Sequence, residues 1–202
     1  MAKENPQEAL STVQDAVLAL LLWHYRLRPR SLSAAGEAPA GDLRAQIGFA
    51  AMVSFGPVSF PADTSMEVAE RYWASNLYRA EAAAMLCLAP GAAERRLAEL
   101  AGHAGSHGNR ISSTDRATLA KAAEALGVQD RNAWVAELSS QLDGMLRDPQ
   151  FWNPVEVLVT TVTARGVLTE QEVEDLLQRA GAPRAPWPDW MPGEAPAPGF
   201  YF

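Results

Sequence analysis

Apolar residues recur at three-and-four spacing through most of the chain, the period of one buried face of an α-helix. The pattern is clearest over residues 64–88, where Met66, Ala69, Trp73, Leu77, Ala80, Ala84 and Cys87 form one stripe and Val68 and Tyr72 widen it. Thr64 followed by Glu67 fits a capping box, which marks the start of this helix chemically. A helix apolar over so much of its circumference is normally enclosed by others. The expectation is therefore an all-α fold organised around this segment.

The rest of the chain divides by the same rule. A first helix opens at Pro6, carries Leu10, Val13, Val17, Leu20, His24 and Leu27 inward, and should end by Pro29. Residues 31–41 read as a loop punctuated by Gly36, Pro39 and Gly41. Residues 42–54 favour a helix, with a hairpin turning at Gly56 and Pro57 as the alternative, and an extended stretch runs through Pro61. Pro90 and Gly91 predict a break after the central helix, followed by a short helix with Leu97 and Leu100 inward. Ser112 to Thr114 offer N-caps to a helix ending at Gly127, and Asp130 caps the next, which stops at Asp148 and Pro149. Asn153, Pro154 and Glu156 then read as the start of a helix ending at Gly166. Thr169 and Glu172 form the capping box of a last one, ending at Gly181. The sum is a single-domain helical bundle of about eight helices over residues 1–181, followed by an arm over 182–202 too rich in proline for helix.

That arm changes the functional picture. Trp187, Trp190, Met191, Phe200, Tyr201 and Phe202 would leave much apolar surface in water if the arm were free. Each aromatic buried on docking contributes on the order of 2 kcal/mol. An extended segment buries such rings only in a groove, on its own body or on another molecule. These six residues are the candidate partner-binding set.

Composition narrows the class. The chain of 202 residues is 48% hydrophobic and 20% charged, ordinary for a globular protein. Its formal charge of -7 disfavours nonspecific binding to polyanions, so nucleic acid is not the expected partner. The single cysteine, Cys87, allows no internal disulfide and sits on the apolar stripe as a small buried hydrophobe. The N-terminus lacks a signal peptide's cationic start, and the longest apolar run, residues 16–23, is far short of the ~20 residues a membrane span needs. A cytoplasmic protein away from membranes is expected, with no cofactor indicated.

Three patterns could carry other chemistry. His103 and His107 stand at the interval that places two imidazoles on one helix face, with Glu99 a turn earlier, as a metal site would need. Gly102, Gly105 and Gly108 argue against helix there, and the same loop could instead offer N–H groups to an anion beside Arg110. Glu99, His103, His107 and Arg110 are thus the candidate anion or metal site, and a metal- or phosphate-dependent enzyme is the reading they would support. His24 and Glu81, within apolar runs, are two further ionisable positions, each with a bland reading as a satisfied core histidine and a solvated acid.

Residues 117–139, with Ala122 and Ala123, then Leu126, Gly127 and Val128, then a second amphipathic helix, resemble the helix-turn-helix of DNA-binding regulators. The resemblance implies a DNA-binding role for residues 113–147. Ala133 stands where that family packs a larger aliphatic residue, and Asp130 and Glu137 place negative charge on the helix that would approach phosphates. No acid, base and nucleophile converge in the pattern. The preferred expectation is a non-catalytic helical protein, a scaffold, adaptor or regulatory subunit, acting through protein–protein contacts and self-associating into a homo-oligomer.

Overall fold

The computed structural model describes residues 6–27, 29, 31–34, 66–103 and 111–185. The fold is all-α. Among the described residues six helices run in the order α1 (Pro6–His24), α2 (Met66–Leu100), α3 (Ser113–Ala125), α4 (Arg131–Arg147), α5 (Pro149–Arg165) and α6 (Glu170–Arg179). One pair of two-residue strands, β1 (Leu32–Ser33) and β2 (Val167–Leu168), joins antiparallel with Leu32 opposite Leu168. The segment proposed for the hairpin-or-helix choice, 42–61, and the Thr64 cap lie outside the described residues, as do the side chains of the central stripe up to Leu77.

α2 is the element on which α1, α3 and α4 pack, while α5 rests on α1 and α4, and α6 on α5 and α1. Residues 82–89 of α2 are all buried, as are residues 16–23 of α1. Both helices are apolar all round at these levels, so they form the shared axis of the core. Leu142 and Leu146 of α4, Leu158 and Val162 of α5, and Val173 and Leu177 of α6 close it from outside. Among the described residues no helix is long and apolar enough to cross a membrane.

Two expected boundaries are corrected. Helix α2 does not break at Pro90 and Gly91 but continues to Leu100. Pro90 has no N–H for the carbonyl one turn earlier, a cost of ~3 kcal/mol in an isolated helix. Here Leu88, Ala89, Ala92 and Ala93 on both sides of the proline are buried. Breaking the helix would expose them, and that decides the matter. The Pro90 carbonyl also accepts from Gln14 Nε2 of α1 at 3.4 Å. Helix α5 begins at Pro149 rather than Asn153, because Asp148 is its N-cap, accepting from the Gln150 N–H at 2.8 Å. Pro154 lies inside the helix, and Glu156 accepts from Trp152 Nε1 at 2.8 Å instead of capping.

The remaining marked ends hold. Ser112 accepts from the Asp115 N–H, Asp130 from the Ala133 N–H, and Thr169 with Glu172 completes the reciprocal capping box. Helices α2, α3 and α6 each end in the same bond pair, made possible by a glycine in the left-handed region: Gly102, Gly127 and Gly181. Of the loop expected over 31–41, the described residues 31–34 pair briefly with β2, a pairing extended by the Ala34 N–H donating to the Gly166 carbonyl at 2.7 Å.

Candidate functional site

The C-terminal turn of α1 is where the described structure concentrates polar and aromatic groups from several elements. The helix ends with the bonds seen at α2, α3 and α6: the Arg26 N–H donates to the Trp23 carbonyl at 3.0 Å and the Leu27 N–H to the Leu22 carbonyl at 2.7 Å. The left-handed position is held here by an arginine, Arg26, with φ 57. A side chain in that region costs roughly 1 kcal/mol that glycine would not.

Its guanidinium has a use. Arg26 Nε donates to the Ala185 carbonyl at 3.2 Å, the Ala185 N–H donates to the His24 carbonyl at 2.8 Å, and Trp23 Nε1 donates to the Ala182 carbonyl at 3.2 Å. His24 Nδ1 lies 3.1 Å from the Pro183 carbonyl, so that nitrogen carries the proton and donates. Arg184 closes back over the Trp23 ring, its guanidinium carbon 3.6 Å from the ring centroid. Residues 182–185, the first of the arm, are thereby fixed to the end of α1, with Ala182 and Ala185 buried. The six residues proposed to bind a partner, Trp187, Trp190, Met191, Phe200, Tyr201 and Phe202, lie outside the described residues.

Aromatic edges surround the contact. The His24 ring meets Tyr25 at 5.1 Å and Phe151 of α5 at 5.2 Å, and Tyr25 meets Tyr78 of α2 at 5.8 Å, all edge to face. Burial holds His24 below the ordinary imidazole value, against a smaller upward pull from its bond to Pro183. Burial also pushes Tyr25 and Tyr78 up, and nearby Glu81 adds to both shifts. His24 is the satisfied histidine of the bland reading, and Glu81 is exposed to solvent.

The Glu99 carboxylate belongs to a different arrangement. It accepts from Arg147 Nε at 3.2 Å and also from Arg147 NH2, with Arg96 NH1 at 3.3 Å, and these cations hold it below the usual carboxylate value. Arg96 in turn lies over the Trp152 ring at 5.4 Å. His103 is exposed just beyond Gly102, where α2 has ended. His107 and Arg110 lie outside the described residues, and among those described no three His, Cys, Asp or Glu side chains are grouped to hold a metal.

Helices α3 and α4 are joined through residues 126–130, and each packs chiefly on α2. The Asp130 carboxylate is spent on capping, while Ala133 and Glu137 face solvent. Cys87 is buried, and burial with Asp115 alongside pushes its thiol up to about 12, which leaves the sulfur inert at neutral pH.

Comparison with known proteins gives no relative. No family model, no curated protein and no solved structure matches the chain. The feature not legible in the sequence pattern is the α1 turn. Its residues, Trp23, His24 and Arg26, stand at the end of the helix expected to stop by Pro29 and face a proline-containing segment 159 residues later. Only folding brings the two together.

Proposed function

We propose that this is a non-catalytic, cytoplasmic helical protein that acts through protein–protein contacts and self-associates, with the arm beyond residue 185 as the contact element. The observation that carries the reading is the fixed seating of residues 182–185 on α1. It gives the arm a defined point of departure, from which Trp187, Trp190, Met191, Phe200, Tyr201 and Phe202 follow within 17 residues. A pre-positioned segment loses less entropy on binding than a free tail, and proline-rich sequence lowers that loss further. Glu99, the acid of the candidate metal or anion site, and Cys87, a conceivable nucleophile, are committed to ion pairs and to the core.

Sedimentation equilibrium of the full chain tests the proposal. The wild type is expected to self-associate. Substitution of Trp187 and Trp190 by Ser should weaken association by about thirtyfold for each ring that the interface buries. A chain that remains monomeric at every accessible concentration, or associates equally well without the two rings, would remove the role assigned to the arm.

A further inference from the structure

The seating of residues 182–185 limits how far the first rings of the arm can travel. Trp23, His24 and Arg26 hold the segment from the α1 side, and the Gly181 and Ala182 N–H groups bond back into α6, to the Gln178 and Leu177 carbonyls. No slack remains before Ala185. Each further residue advances the chain by at most about 3.6 Å, so the Trp187 and Trp190 backbones lie within about 7 and 18 Å of Ala185. That radius covers one end of the molecule. The α1 turn touches Phe151 at the start of α5 and Ala182 just past α6, so three helix ends meet there. The β1–β2 pair lies at the far end of α5, whose 17 residues span about 25 Å. Whatever surface buries Trp187 and Trp190 must therefore stand beside the α1 turn.

The side chains at that end have the chemistry of a contact surface. Leu27, Tyr78 and Phe151 pack on the core yet stay partly open, and Arg184 is exposed over the Trp23 ring. Aromatic rings and arginine are the groups enriched where proteins bind each other. Glu81, three residues beyond Tyr78 on α2, is exposed and gives the same end a negative group. A two-fold contact sets such a mixed surface against itself, positive against negative.

We infer, resting on the self-association proposed above, that the surface around the α1 turn is the interface between two copies of this chain. The two turns face each other across a two-fold axis, and each arm crosses to the second copy from a base that stays seated on its own body. Exchange of the base itself is opposed by the join to α6. A second copy's Ala182 could fill the seat only with that copy's α6 in the place of the chain's own, which packs on α5 and α1. Arg26 belongs to the same device. It takes a left-handed conformation where α2, α3 and α6 use glycine, and the side chain so placed reaches Ala185. Strain held at a contact is a reason to look for function there. By fixing Ala185, Arg26 lowers the entropy lost when the rings beyond it bind, which makes it a positioning residue for association.

Spin labels on the full chain locate the interface. Gln178→Cys and Glu170→Cys, both at exposed positions, stand eight residues or about 12 Å apart on α6, one at the α1-turn end and one at the β2 end. Cys87 is buried, and the unsubstituted chain serves as the labelling control. Between the two copies of the associated protein, the 178 pair is expected to be closer than the 170 pair. Equal separations, or a closer 170 pair, would place the interface elsewhere and overturn the inference while leaving self-association standing. A chain monomeric at every accessible concentration would remove both. Arg26→Gly keeps the left-handed turn at lower steric cost and deletes the bond to Ala185, so it is expected to fold. Its Ala185 amide should exchange severalfold faster, and its self-association should weaken severalfold. An unchanged Ala185 amide, or association unchanged despite a faster one, would overturn the positioning role of Arg26. Ala185 protection that rises with the concentration of the wild type would show a seat filled by the second copy, and would overturn the seating of each base on its own body.

Discussion

At the scale of single residues, the stable features are those in which a side chain meets a backbone group next to it in sequence. Glu172 is the clearest. It accepts from the Thr169 N–H at 2.8 Å and the Thr169 hydroxyl at 2.9 Å, and Arg165 adds an ion pair. These bonds hold its carboxyl down at about 2, although the group is open to solvent. A depressed carboxylate contributes stability above its unfolded value of 4.5, and that contribution is lost as the pH falls toward 2. Glu172→Gln should therefore be less stable than the wild type in urea at neutral pH, and the difference should shrink steadily in the acid range below 4.5. An undiminished difference at the acid end would mean that the charged carboxylate is not the source of the effect.

The same locality explains what could be read from the chain at this scale. Ser112, Asp130, Thr169 and Glu172 cap helices through partners three residues away, so their spacing in sequence is already their geometry. Arg26 is the counterexample. Nothing local marks it for a left-handed conformation, and its partner at Ala185 is known only from the fold. Glu99 likewise could be read as a ligand beside His103 and His107 until Arg147, 48 residues away, was found against its carboxylate.

At the scale of elements, α2 shows local preference overruled. Proline and glycine at 90 and 91 are strong helix breakers, and the helix passes through both. The buried residues on either side set the outcome, as does the acceptance of the Gln14 amide by the Pro90 carbonyl. The helix should therefore be tolerant of a better helix former. Pro90→Ala restores the donor for the Leu86 carbonyl and is expected to raise stability by about 1–2 kcal/mol, less than the full ~3 kcal/mol because proline also restricts the unfolded chain. Equilibrium urea unfolding with an unchanged slope checks this, and a loss of stability would show that the ring itself is needed in the packing. The error at α5 is of the opposite kind. Asn153 with Pro154 satisfies every local rule for a helix start, yet Asp148 with Pro149 satisfies them one turn earlier and the longer helix buries Trp152.

At the scale of the whole molecule, the junction of α2, α4 and α5 is tied by charge as well as by apolar contact. Arg95 Nε lies 3.1 and 3.0 Å from the two Asp143 oxygens, with its NH2 at 2.8 Å from one of them. Both side chains are about one-fifth exposed, at 22%. This fork geometry is stronger than an ordinary surface pair, and a double-mutant cycle with Arg95→Ala and Asp143→Ala should give a coupling of roughly 1 kcal/mol. A coupling near zero would leave the α2 to α4 contact to apolar packing alone. The association experiment belongs to this scale too, because it depends on where the arm leaves the body.

What the amino-acid sequence determined by itself is the all-α class, the positions of most described helix ends, and the burial of the α1 face and of Ala80, Ala84 and Cys87 on the α2 stripe. Periodicity and capping act over a few residues, and such interactions are the same in any fold that contains them. The tertiary structure alone decided that α2 runs through its proline, that Glu99 pairs with Arg147, and that Trp23, His24 and Arg26 hold the base of the arm. Those outcomes depend on groups far apart in the chain, whose meeting is set by the competition of all buried surfaces at once.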